Sequence, residues 1–204
     1  MYEDIKLLAK EKRGLYSIQS NLVSLSLLRK IYKTEGIKIS YSFPTMKLRN
    51  LRAAYFNDGN DVEVLLKKGL PDEAKIFSLV HELKHHYVDR KLIGTGTSCN
   101  LSSYDSQPEI EKAAEIFAAE FIFPEQEFLQ TIKDYGITPQ NIQPEFVVKY
   151  KKRLGNIPIS YTFLKKRLEW FKFIPKGAYD KIKFKKLEYE ICGVPFYLYR
   201  RGYY

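Results

Sequence analysis

The sequence predicts an α+β protein. A small antiparallel sheet of about three strands packs on a helix carrying the pattern H-E-x-x-H. A helical C-terminal region and a short basic β segment follow. Three observations support this reading. Strand-like runs cluster between residues 37 and 66, apolar residues at helical spacing flank them, and the lysine-rich end alternates with apolar side chains.

Tyr2 to Lys12 and Asn21 to Tyr32 are expected to be helices, the second with its stripe at Leu22, Leu25, Leu28 and Ile31 and its stop at Gly36. Ile37 to Phe43, Leu51 to Phe56 and Val62 to Leu66 are the expected strands. Asn57-Asp58-Gly59-Asn60 has the turn chemistry to join the last two as a hairpin. After Gly69-Leu70-Pro71, with Asp72 as a candidate N-cap, a helix is predicted from about Glu73 to Arg90, its stripe at Ile76, Leu79, Val80, Leu83 and Tyr87. Gly94 to Gln107 is polar and reads as a loop. Helices are then expected over Glu109–Phe123, Glu125–Tyr135, Pro144–Leu154 and Ser160–Phe173, punctuated by Pro124, Gly136 and Gly155. Ile182 to Tyr199 alternates lysine with apolar and aromatic residues and reads as one or two strands. The expected organisation is a core over 1–135, a helical element over 136–174 and a basic strand-like tail over 175–204.

The chain has 204 residues, enough for a real core, and 45% hydrophobic with 28% charged residues argues against disorder. Met1 to Lys10 lacks the apolar centre of a signal peptide, and the best apolar run, Phe117 to Phe123, holds Glu120. No membrane partner is expected. Cys99 and Cys192 are too few for a disulfide framework and read as reduced, non-ligand thiols, which suits a cytoplasmic protein. The net charge of +10 is uneven. Residues 1–144 carry 19 basic and 19 acidic side chains, whereas residues 145–204 carry 15 and 5. Such a segment is either a solvated basic face or a docking surface for an acidic partner or DNA.

All three histidines fall in His81-Glu82-Leu83-Lys84-His85-His86. On a helix, His81 and His85 share a face, so two imidazoles can hold one zinc ion. A catalytic zinc site needs a third ligand. With histidine and cysteine scarce, the acidic residues of the following helix, Glu109, Glu111, Glu115 and Glu120, are the candidates. Glu111 and Glu115 lie four apart. Glu111 is assigned as the third ligand, and Glu115 as a carboxylate orienting a ligating imidazole. Glu82 is the expected general base. Asp89, one turn past His85, is either a second such orienting group or a plain surface acid, and His86 sits off the face. The group that completes an oxyanion site is not identified, with Tyr87 and Tyr104 as guesses.

These residues resemble the ImmA/IrrE family of zinc metallopeptidases. The likeness rests on Phe77-Ser-Leu-Val-His81-Glu-Leu-Lys-His85 and on Glu111-Lys-Ala-Ala-Glu115-Ile-Phe117-Ala118-Ala119, with its hydrophobic run to Pro124. It covers about residues 50–130, with a weaker echo to about 174. The resemblance implies a cytosolic zincin-type endopeptidase of the gluzincin kind, with His81, His85 and Glu111 as zinc ligands and Glu82 as the catalytic residue. It also implies a protein substrate, a helix-turn-helix repressor of a prophage, mobile element or stress regulon. Lys84 replaces a common glycine and is expected to face solvent or to alter the charge of the cleft. Glu115 replaces the usual Asn or Asp. Two other classes compete: a nucleic-acid-binding regulator using this fold as scaffold, and a toxin–antitoxin or other interaction module. The basic end motivates the first of these, although no helix-turn-helix or zinc-knuckle signature accompanies it.

Overall fold

The structure, a computed structural model, describes residues 2–19, 22–42, 51–91, 108–155 and 157–193. Cys99, Tyr104, the expected 94–107 loop and the end of the basic β segment lie outside them. The chain forms two compact units, Met1–Glu125 and Gln126–Tyr204.

The first unit begins with α1 (Glu3–Leu15) and α2 (Leu25–Thr34). Helix α1 has acids in its first turn and Lys12 and Arg13 in its last, which complements the helix dipole. Arg13 is buried and donates through Nη1 to the carbonyl of Phe121, 2.6 Å away. Helix α2 starts three residues later than the apolar stripe suggests. The Ser24 hydroxyl accepts the Leu27 N–H at 3.2 Å and fixes that end.

Three strands follow: β1 (Ile37–Ser42), β2 (Ala53–Asn57) and β3 (Val62–Lys67). The expected hairpin forms between β2 and β3, with Tyr55 opposite Val64. Its turn is closed by Asp58, whose Oδ1 accepts the N–H groups of Asn60 at 3.0 Å and Asp61 at 2.8 Å, and Gly59 takes φ +95°. The sheet is mixed rather than wholly antiparallel. Its order is β1-β3-β2, and β1 runs parallel to β3 with Ile37 opposite Val62. The reason is topological. Strand β2 runs opposite to β1, and the tight turn returns β3 into the gap between them. A strand antiparallel to β2 in that position must be parallel to β1. Strand β3 shows the period of two, with Val62, Val64 and Leu66 buried and Glu63, Leu65 and Lys67 half-buried.

Helix α3 (Asp72–Lys84) follows, with Pro71 rather than Asp72 at its N-cap. It continues into one π-helical turn, His85–Asp89. Helix α4 (Pro108–Ile122) packs along α3 and α1. Its alanines permit close approach, and Phe117 and Phe121 stack 5.8 Å apart with no exposure. Tyr32 ties α2 to α3 through a 2.7 Å hydrogen bond from its hydroxyl to the carbonyl of Leu79.

The second unit is built from α5 (Glu125–Asp134), α6 (Pro144–Arg153), α7 (Tyr161–Trp170) and α8 (Phe184–Cys192). Ser160 caps α7 by accepting the Phe163 N–H at 3.1 Å. Arg167 is buried with its guanidinium over Phe128 and Phe171, 5.5 and 5.4 Å from the ring centres. Helix α8 corrects the strand reading of this segment. Lys185 with Glu188 and Lys186 with Glu190 pair at helical spacing, 3.2 and 3.5 Å apart. Gly193 closes the end at φ +70°. The lysine-apolar alternation that suggested strands is the shorter-range view of this amphipathic turn. Cys192 is a free thiol.

Among the described residues, no helix is long and apolar enough to cross a membrane. Truncating Phe117 to alanine is expected to cost about 3–5 kcal/mol in urea unfolding. Leu15→Ala, at an exposed position, should stay within about 0.5 kcal/mol of the parent.

Candidate metal centre

The centre is built on two rigid helices. Helix α3 and its π turn bring His81, Glu82 and His85, and α4 brings Glu111 against them. Every residue from Ser78 to His86 is buried, so this is no solvated histidine face.

Three donor atoms converge. His81 Nε2 lies 3.0 Å from Glu111 Oε2 and 3.2 Å from His85 Nε2, and His85 Nε2 lies 3.6 Å from Glu111 Oε1. One atom from each residue falls within 4.8 Å of the others. A tetrahedral zinc ion with bonds of about 2.0–2.1 Å needs ligand atoms about 3.3 Å apart. Taking whichever Glu111 oxygen is nearer to each imidazole, the separations lie close to that value, and two imidazole nitrogens with one carboxylate oxygen form a donor set that zinc accepts. The electrostatics also suit a cation. Burial opposes charging of His81, yet the hydrogen bond to Glu111 and the fields of Glu82, Glu111 and Glu115 raise its pKa above the usual histidine range.

Asp89 supplies the orienting contact. Its Oδ2 lies 2.7 Å from His85 Nδ1. Burial pushes its carboxyl pKa up, but the hydrogen bonds from His85 and Lys84 outweigh that and hold it below the usual carboxylate range. An ionised carboxylate only accepts, so the Nδ1–H donates to it, and Nε2 is the nitrogen turned towards the centre. Glu115 lies on α4 one turn past Glu111. Its Oε2 lies 3.2 Å from Lys112 Nζ, and it bears on His81 through its charge.

Glu82 is 4% exposed and accepts a hydrogen bond from the main-chain N–H of Tyr55 on β2. Burial raises its pKa, with the two histidines pulling the other way. A carboxylate with raised proton affinity is suited to take up a proton and return it.

Lys84 does not face solvent. It is 2% exposed, with Nζ 2.7 Å from Asp89 Oδ2 and 3.1 Å from the carbonyl of Ile110. His86 is buried away from the centre, its Nδ1 3.1 Å from the Tyr55 hydroxyl and its Nε2 3.7 Å from Glu35. Tyr87 is committed elsewhere too: its hydroxyl lies 3.4 Å from that of Tyr16, and Lys12 stands 4.3 Å above its ring. The role of Asp89 was only half visible in the sequence, and that of Lys84 was not visible at all. The signal that could have exposed Lys84 is its position inside an otherwise apolar helix face.

The sequence model of the peptidase family described as the IrrE N-terminal-like domain matches residues 34–152. That span covers the sheet, both site helices and part of the second unit. No protein of curated function matches the chain.

Metal analysis of the purified protein is expected to find one divalent ion per chain, lost in His81→Ala. Asp89→Asn should weaken metal affinity about 10–100-fold in chelator competition. Glu115→Gln should change it by less than Asp89→Asn does.

Proposed function

The chain belongs to the IrrE N-terminal-like peptidase family, and from that premise we propose that it is a zinc-dependent endopeptidase whose substrate is a helix-turn-helix transcriptional repressor. The observation that carries the zinc reading is the convergence of His81 Nε2, His85 Nε2 and a Glu111 carboxylate oxygen within 4.8 Å, with a buried carboxylate next in sequence.

His81, His85 and Glu111 would hold the ion. When bound, zinc supplies Lewis acidity that polarises a peptide carbonyl and makes a water more acidic. The remaining work falls to the protein. Glu82 takes the proton of the attacking water and delivers it to the leaving amine, so the carbon–nitrogen bond breaks without expelling an amide anion. The Tyr55 N–H keeps the Glu82 carboxylate in place on a strand rather than on a loop. Asp89 holds the imidazole of His85 in the tautomer that presents Nε2.

The repressor substrate rests on the family resemblance. The basic charge of residues 145–204 supports an acidic docking surface on that partner. Part of this charge is already paired, as in Lys185 with Glu188 and Lys186 with Glu190.

Incubation of the zinc-loaded protein with a repressor encoded beside it should give one defined cut, located by mass spectrometry. Glu82→Gln should retain the metal and lose at least about 10²–10⁴ in rate. Cleavage at the parent rate by that variant would refute the mechanism.

A further inference from the structure

A lysine ammonium almost never lies fully buried unless it is paired. Lys84 is buried to 2% exposure between the two ligand-bearing helices. Its Nζ donates to Asp89 Oδ2 at 2.7 Å and to the carbonyl of Ile110 at 3.1 Å. The same Asp89 oxygen lies 2.7 Å from His85 Nδ1. Ile110 immediately precedes Glu111. One ammonium therefore reaches, through one intervening group on each side, a ligand on the π turn and a ligand on α4.

The geometry needs the π turn. In an α-helix, side chains three and four apart are neighbours, whereas those five apart diverge. The wider turn over His85–Asp89 brings residue 89 beneath residue 84 as well as beneath residue 85. One carboxylate can then serve both side chains.

We propose that Lys84 is a positioning residue of the metal centre, which sets the His85 ring through Asp89 and the backbone that presents Glu111 through Ile110. The inference rests on the metal reading above and deepens it. Lys84 touches neither metal nor substrate. Its effect is preorganisation: the donor atoms stand at ligand spacing before the ion arrives, so less ordering is left for binding to do.

The test uses full-length protein stripped of metal. Zinc affinity is measured by competition with a chromophoric chelator, ligand geometry by the visible absorption of the cobalt(II)-substituted protein, and folding by urea titration. Lys84→Met should lower zinc affinity about 10–100-fold and change the cobalt spectrum under conditions where the variant is folded. Wild-type affinity with an unchanged cobalt spectrum would overturn the proposal, however much the metal-free stability moved, because a purely structural ion pair predicts that result.

If Lys84→Met does not fold, Lys84→Met/Asp89→Asn removes both charges together and is compared with Asp89→Asn alone. The proposal expects weaker zinc binding by the double variant, since the Ile110 tether is lost separately. Equal affinities would overturn it. A wild-type chain that takes up no zinc would overturn the metal reading, and this inference with it. Zinc uptake by wild type with no change in the variants would overturn only the role of Lys84.

Discussion

A stretch of helix, Ser78 to His86, that is buried throughout and still carries five ionisable residues, His81, Glu82, Lys84, His85 and His86, can persist only if each one finds a partner. That constraint organises the first unit. Lys84 is met by Asp89 and Ile110, His85 by Asp89, Glu82 by the Tyr55 N–H, and His86 by Tyr55 and Glu35. His81 turns towards Glu111. The partners come from β2, the C-cap of α2, α4 and the π turn, so the elements around α3 are placed by polar demands as well as by apolar packing. Removing one partner of a buried ion pair leaves an uncompensated charge and costs about 3–5 kcal/mol. The network is therefore resistant to piecemeal change.

The apolar frame makes this arrangement tolerable. Ile76, Leu79, Val80 and Leu83 on α3 are buried, as are Ala113, Ala114, Phe117, Ala118 and Phe121 on α4, which packs along it, and Val62, Val64 and Leu66 fill one face of β3. Arg13 extends the frame by capping the carbonyl of Phe121 near the end of α4, where helical carbonyls lack partners. Helices held this way are better platforms than loops for atoms that must sit a few tenths of an ångström from ideal. The three donor atoms lie on such platforms, and so does the carboxylate of Glu82.

The sequence made much of this legible because helical periodicity is a local property. The i,i+4 spacing of His81 and His85 needs only the α-helix, and the paired acids of the next helix pointed to Glu111. The hairpin followed from Asn57-Asp58-Gly59-Asn60. What escaped was non-local or cost-driven. The parallel pairing of β1 depends on which gap β3 enters, and no residue of β1 encodes that. The π turn has no side-chain signature, so Asp89 looked as much like a surface acid as a partner. Helix α8 was missed because lysines alternating with apolar residues satisfy a period of two over a short window, while its Lys–Glu pairs at three and four residues decide for the helix.

Lys84 marks the limit of local reading most clearly. By composition a lysine in a helix belongs in water, and a pattern-based expectation places it there. Its actual site follows from counting charges around the centre. Asp89, Glu82 and Glu111 bring three carboxylates near two imidazoles, and such a pocket favours cations. The ion proposed between the histidines would answer Glu111 and lie near Glu82. Asp89 stands behind the His85 ring, where that ion does not reach it directly. The Lys84 ammonium fills that second position. The pocket thus asks for two cations, one supplied by the chain and one left for the proposed metal, and the fixed cation is placed where it would order the ligands of the other.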